Sequence, residues 1–174
     1  MYRTILSLCL TGIISVSAIA QDSTTPPPPP PCSAEEFSQF DFWIGEWALT
    51  WSDTMHASNS IRKLFNDCVI QEQFDGRPAI NFSGMSVSTF NVNTKLWQQT
   101  WVDDQGSYLD FTGRWLGDKM VLSRKVTTPA GNTFQQRMVW HTITDSSFVW
   151  DWERLNDGDS LWTTNWQINY KREK

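Results

Sequence analysis

From Glu46 onward the chain alternates in steps of two, and large aromatic residues carry the alternation. Trp47, Leu49 and Trp51 are separated by Ala48 and Thr50. Trp97, Gln99, Trp101 and Asp103 share one parity, and so do Phe134, Gln136, Met138 and Trp140. Trp162, Thr164, Trp166, Ile168 and Tyr170 fall on one face by the same count. Successive side chains of a strand point to opposite faces, so a period of two marks half-buried strands. Turn residues interrupt the pattern at Asp75-Gly76, Asn91 to Thr94, Asp104-Gln105-Gly106, Gly117-Asp118, Pro129-Ala130-Gly131, Asp145-Ser146 and Asp157-Gly158-Asp159. Short loops of that composition join antiparallel hairpins.

The pattern predicts about ten strands, over 46–53, 59–66, 68–75, 82–91, 95–103, 107–115, 118–127, 133–143, 147–155 and 161–171. Helical character is confined to Ser33–Phe40, where Ser33 is placed to cap Ala34-Glu35-Glu36-Phe37. A middle without helices excludes a parallel βαβ sheet. A meander of this length has two unpaired edges unless it closes on itself. The expected fold is therefore all-β: an antiparallel barrel of about ten strands behind a short N-terminal helix.

Not all of the 174 residues belong to that fold. Arg3, the apolar run Ile5–Ile19 and the small-x-small triplet Ala18-Ile19-Ala20 form a signal peptide over residues 1–20. As a helix, that run would span about 22 Å, short of the roughly 30 Å hydrocarbon core, so cleavage and export are expected rather than anchoring. Export places the mature protein in the periplasm or outside the cell, with no stable membrane span. Residues 21–31 form a linker ending in six prolines, a stiff extended spacer. Residues 32–174 remain for one domain, a size that supports a true core.

After cleavage two cysteines are left, Cys32 and Cys68. An even count in an oxidising compartment points to one disulfide. Closing a loop of roughly 37 residues is worth about 3.8 kcal/mol in the chain-entropy model. No CxxC pair accompanies them, and His56 and His141 stand far apart, so no metal and no cofactor is expected. The net charge of −5 argues against nucleic acid as a partner.

Several stretches resemble a known family. Phe40-Asp41-Phe42-Trp43-Ile44-Gly45-Glu46-Trp47 resembles the FDFWxGEW opening of an exported bacterial family of undefined activity with a lipocalin-like barrel. Phe65 to Glu72 is similar to its GCxIxE segment, with Asp67 where glycine is usual. Trp97-Gln98-Gln99-Thr100-Trp101-Val102-Asp103 is similar to its WxQTWVD strand. The resemblance covers roughly residues 32 to 172, implies a lipocalin-like barrel, and supports pairing of Cys32 with Cys68. Gly45-Glu46-Trp47 also resembles the Gly-x-Trp of the wider calycin group. That likeness implies Trp47 closing the barrel bottom under a basic side chain from the chain's end, here Arg172.

Chemistry is sought on faces that mix aromatic and polar residues. Trp97, Trp101 and Trp152 are expected to supply flat walls, with Glu72, Gln99 and Arg137 fixing a polar end and Asp103 and Glu153 near the strand ends. Glu72 shares a face with Ile70 and Phe74, so it needs a partner such as Arg137 if it is charged. The expected function is binding of a small, partly apolar molecule in a tryptophan-lined barrel. An enzyme would use the same residues, with Glu72 or Asp103 as general base and Arg137 holding a developing anion. A carbohydrate module would instead turn Trp150, Trp152 and Trp162 outward. No nucleophile elbow, phosphate loop or dinucleotide fingerprint is present. Sequence leaves oligomeric state open. The disulfide makes one immediate prediction: thiol titration of the unreduced, unfolded mature protein finds no free cysteine, and two free thiols would dismiss the bridge.

Overall fold

A computed structural model describes residues 26–52 and 55–173. The signal-peptide reading falls on residues 1–20 and lies outside the described residues. Pro26 to Pro30 run exposed and without regular structure into a turn at Pro31-Cys32. The described residues form ten strands: β1 Gly45–Trp51, β2 Met55–Leu64, β3 Val69–Asp75, β4 Ser83–Asn91, β5 Leu96–Asp103, β6 Tyr108–Trp115, β7 Met120–Thr127, β8 Thr133–His141, β9 Ser147–Asn156 and β10 Thr163–Arg172. Each pairs antiparallel with the next, and β1 also pairs with β10, so the sheet closes into a barrel. Closure satisfies the backbone groups that a sheet edge would leave open. No helix among the described residues is long and apolar enough to cross a membrane.

The helical segment before the barrel differs from the sequence expectation. It is two 3-10 turns, Glu35–Ser38 and Asp41–Trp43, and Ala34 rather than Ser33 stands at the first cap, with no side-chain cap bond. The spacing of aromatic residues explains the tighter winding. Phe37, Phe40 and Trp43 recur every third residue, and a helix of three residues per turn puts all three on one side. All three are buried. Phe40 meets Trp97 and Trp140 edge to face, with ring centroids at 4.8 Å and 5.2 Å. Together they fill one end of the barrel.

Arg172 fastens that end. Its guanidinium carbon lies 4.2 Å from the Trp47 ring centroid. The same group donates to the carbonyls of Ile44 at 2.7 Å, Phe42 at 3.2 Å and Asp145 at 3.0 Å. The Trp47 indole N–H donates to the Trp43 carbonyl at 2.8 Å. Gly45 turns the chain into β1 at φ +134°, and a Cβ there would run into the Arg172 guanidinium. Both conditions require glycine. Nearby, Cys32 is bonded to Cys68 in the β2–β3 turn, which ties the start of the plug segment to the barrel.

One strand breaks the parity read from sequence. Thr164 pairs with Glu153 but Trp166 pairs with Trp152, because a bulge inserts an extra residue between them. Trp166, Ile168 and Tyr170 therefore face inward, while Thr164 lies on the outer face and its hydroxyl meets Glu153 at 3.4 Å. Trp162 is also outside, stacked on Arg137. The fold predicts that Arg172→Leu, which strands three carbonyls and removes the stacked charge, costs about 3 kcal/mol in urea unfolding. Arg172→Lys should recover only part of that, because an ammonium cannot reproduce the planar fork.

Candidate functional site

Among the described residues, no such plug fills the other end of the barrel. That end holds a cavity of about 210 Å3. For scale, a dry cavity of about 150 Å3 holds benzene. One wall is Trp101 with Phe82 and Phe74, the first two rings 6.1 Å apart and tilted by 34°. Gly84 makes room for that wall, since a Cβ there would collide with the Trp101 ring. A second wall is Trp150, Trp152 and Trp166, and it meets the first where Trp166 touches Phe74 edge-on at 6.1 Å. Trp150 and Trp152 lie near parallel at 6.3 Å, and Trp166 meets Trp150 edge-on at 5.9 Å.

Polar groups enter at two places. Glu72 is at the floor, 7 % exposed. Its carboxyl accepts from Asn59 Nδ2 at 2.7 Å and from the Ser86 hydroxyl at 2.6 Å. Asn59 Nδ2 also donates to the Tyr170 hydroxyl at 3.1 Å, while Asn59 Oδ1 is buried with no partner. Burial pushes the Glu72 pKa above 4.5, outweighing the bonds from Ser86 and Asn59. Tyr170 is pushed up too, first by burial and then by the nearby Glu72 charge. Asp103 sits at the rim. Burial raises it, but hydrogen bonds from Ser107, Trp101 and Gln105 win and hold it below 3.8. Trp101 Nε1 and the backbone N–H groups of Gln105 and Ser107 each reach its carboxylate at 3.0 Å.

The candidate residues from the sequence divide into three groups. Glu72, Trp101, Asp103 and Trp152 line the cavity together. Trp97 and Gln99 are buried on the same barrel face but below it, Trp97 donating to Gln39 at 3.0 Å and Gln99 to Ser88 at 2.9 Å. Arg137 and Glu153 do not enter the cavity: they form an ion pair with each other on the outer face, under Trp162 at 4.1 Å. The expected Glu72–Arg137 pair is thus absent. Strand parity accounts for this. Met138 and Trp152 face in, so their neighbours Arg137 and Glu153 must face out. The outward tryptophan strip does not form either, because Trp150 and Trp152 line the cavity. His141 is likewise outside, its Nε2 2.9 Å from Asp151. Among the described residues no three His, Cys, Asp or Glu side chains cluster as metal ligands would.

Sequence reasoning missed Asn59 and Ser86, which hold Glu72, and the cavity role of Phe82. The alternation Ala57, Asn59, Ile61 carried a signal, since a polar side chain between two apolar ones of equal parity points into a core. No family model matches the chain, and neither does any curated protein.

Glu72 generates a prediction with a definite sign. Its folded pKa is raised, so the folded protein keeps the proton to higher pH than the unfolded chain does. Stability from this group is complete below about 4.3, the unfolded value, and is lost as pH rises through the folded value. Denaturant unfolding from about pH 4 to about pH 8 should show the parent protein losing stability relative to Glu72→Gln as pH rises. Parallel curves would mean that Glu72 titrates in the folded protein as it does in the unfolded chain.

Proposed function

We propose that the protein is an exported binder of a small, largely apolar molecule, held in the tryptophan-walled half of the barrel. The observation that carries this reading is the cavity itself: about 210 Å3, walled by indoles on two sides, beside a closed aromatic plug. A barrel that needed only a core would fill both ends alike. Flat aromatic walls with a few convergent polar groups are the usual make-up of a small-molecule site. The signal-like start at Arg3 to Ala20 and the Cys32–Cys68 bridge support export. The motif resemblance to an exported lipocalin-like family supports the same assignment on sequence grounds.

Binding accounts for the residues better than turnover does. Glu72 has no cationic partner in the cavity, and the guanidinium that would hold a developing anion is on the outer face in an ion pair. In the binding reading, Trp101 and Trp152 give the ligand its walls, and Glu72 and Asp103 meet its polar end. Trp97 and Gln99 support that floor from below.

Native mass spectrometry of protein taken from its own exported fraction, followed by denaturing extraction, tests this. A stoichiometric small molecule released on unfolding is the expected result. Trp152→Ala removes one wall and should lower its occupancy by about ten-fold or more, while Trp162→Ala, on the outer face, leaves it unchanged. Full occupancy in the Trp152 variant would move the ligand out of the barrel.

A further inference from the structure

Which molecule the cavity prefers follows from the charges that line it. Nine of its fourteen lining residues are aromatic, and the two that can carry charge, Glu72 and Asp103, are both acids. No lysine or arginine is among them.

The walls have the same preference. The face of an aromatic ring carries negative potential, so stacked and crossed indoles attract a positive group, best of all for tryptophan. Trp101 lines the cavity and donates its N–H to Asp103, which fixes a carboxylate at the edge of its ring. Trp150, Trp152 and Trp166 form the other side of an aromatic box. We infer that the cavity takes an organic cation, an ammonium group on a compact apolar body, enclosed by the indoles between Asp103 at the rim and Glu72 at the floor. This rests on the cavity being a ligand site, as proposed above.

Electrostatics at the floor fit a cationic guest. Buried without a counter-charge, Glu72 is driven toward its neutral form, and a bound ammonium would supply the missing counter-charge. Asp103 is already held ionised. One feature pulls the other way. Arg124 faces into the barrel with Met120 and Leu122, its guanidinium carbon 5.7 Å from the Phe111 ring centroid, and its Nε and Nη1 are buried without partners. It does not line the cavity, but a ligand carboxylate reaching past Phe111 would find it. The chemistry that separates the two is therefore charge at constant shape.

Isothermal titration of the full protein with choline, its uncharged carbon isostere dimethylbutanol, and the matching dimethylbutanoate makes that comparison. Indole fluorescence serves as a second signal, since the four wall tryptophans should respond. Choline should bind about ten-fold or more tightly than the alcohol, and the carboxylate weakest of the three. Glu72→Gln should bring choline toward parity with the alcohol. Equal affinity for choline and the alcohol in the parent protein overturns the cation assignment but leaves a general apolar site standing. Tightest binding by the carboxylate overturns it in favour of Arg124. If none of the three binds, the cation assignment falls, and an absence of any released molecule in the mass-spectrometric test removes the cavity reading with it.

Discussion

The guanidinium of Arg172, laid over the Trp47 ring, joins the last strand to the first. Trp47 and Arg172 are direct cross-strand partners, so their contact sits on the seam where the barrel closes. The same side chain reaches back to the carbonyls of Phe42 and Ile44, in the segment that plugs the barrel. One residue thus secures closure and plug together. Cation–π attraction and charged hydrogen bonds are each modest in water. Here the fully buried indole beneath gives the charge no competing solvent on that side. The inner surface divides on either side of this seam. Below lie Phe40, Trp43, Trp97 and Trp140, packed edge to face; above lies space.

That division gives the upper cavity its chemistry. Filling the lower end with rings leaves the small polar residues of β2 and β4, Asn59 and Ser86, to hold Glu72 in place. A carboxyl in such a position would be an expensive choice for stability alone, since an apolar side chain of similar shape would serve the fold as well. Its presence beside four indoles, with an aspartate at the rim, makes both carboxyl groups of the lining acidic neighbours of one space, with Arg124 behind Phe111 as the nearby opposing charge. Arg137, the cation expected to pair with Glu72, spends its charge on Glu153 outside.

Much of the architecture was legible in the sequence. The strands could be read because aromatic residues of equal parity must share a face, and turn residues marked each reversal. All ten strands lie within a few residues of the expected bounds. The disulfide was legible from the cysteine count. Parity also separates two of the expected site residues: Trp152 and Glu153 are neighbours in one strand, so both cannot line one pocket. The bulge near Trp166 was not legible, since nothing between Thr164 and Trp166 marks an extra residue. The winding of the plug was hidden for another reason. A three-residue spacing of aromatic groups in so short a segment fits either an α turn or a 3-10 turn, and contact with Trp97 and Trp140 decides between them. The partners of Glu72 were obscured because serine and asparagine within a strand look the same whether they face solvent or a buried acid.

The Cys32–Cys68 bond has a further consequence for the plug. Its thirteen or so residues up to Ile44 are anchored covalently at one end and by the β1 strand at the other. Should the barrel breathe and the aromatic rings part, the plug cannot diffuse away, and its return is a unimolecular event. The effective concentration of such a tethered segment is on the order of millimolar or higher. Reclosure would therefore outrun capture of the exposed rings by another chain. The bond would thus act as insurance against self-association as much as against unfolding.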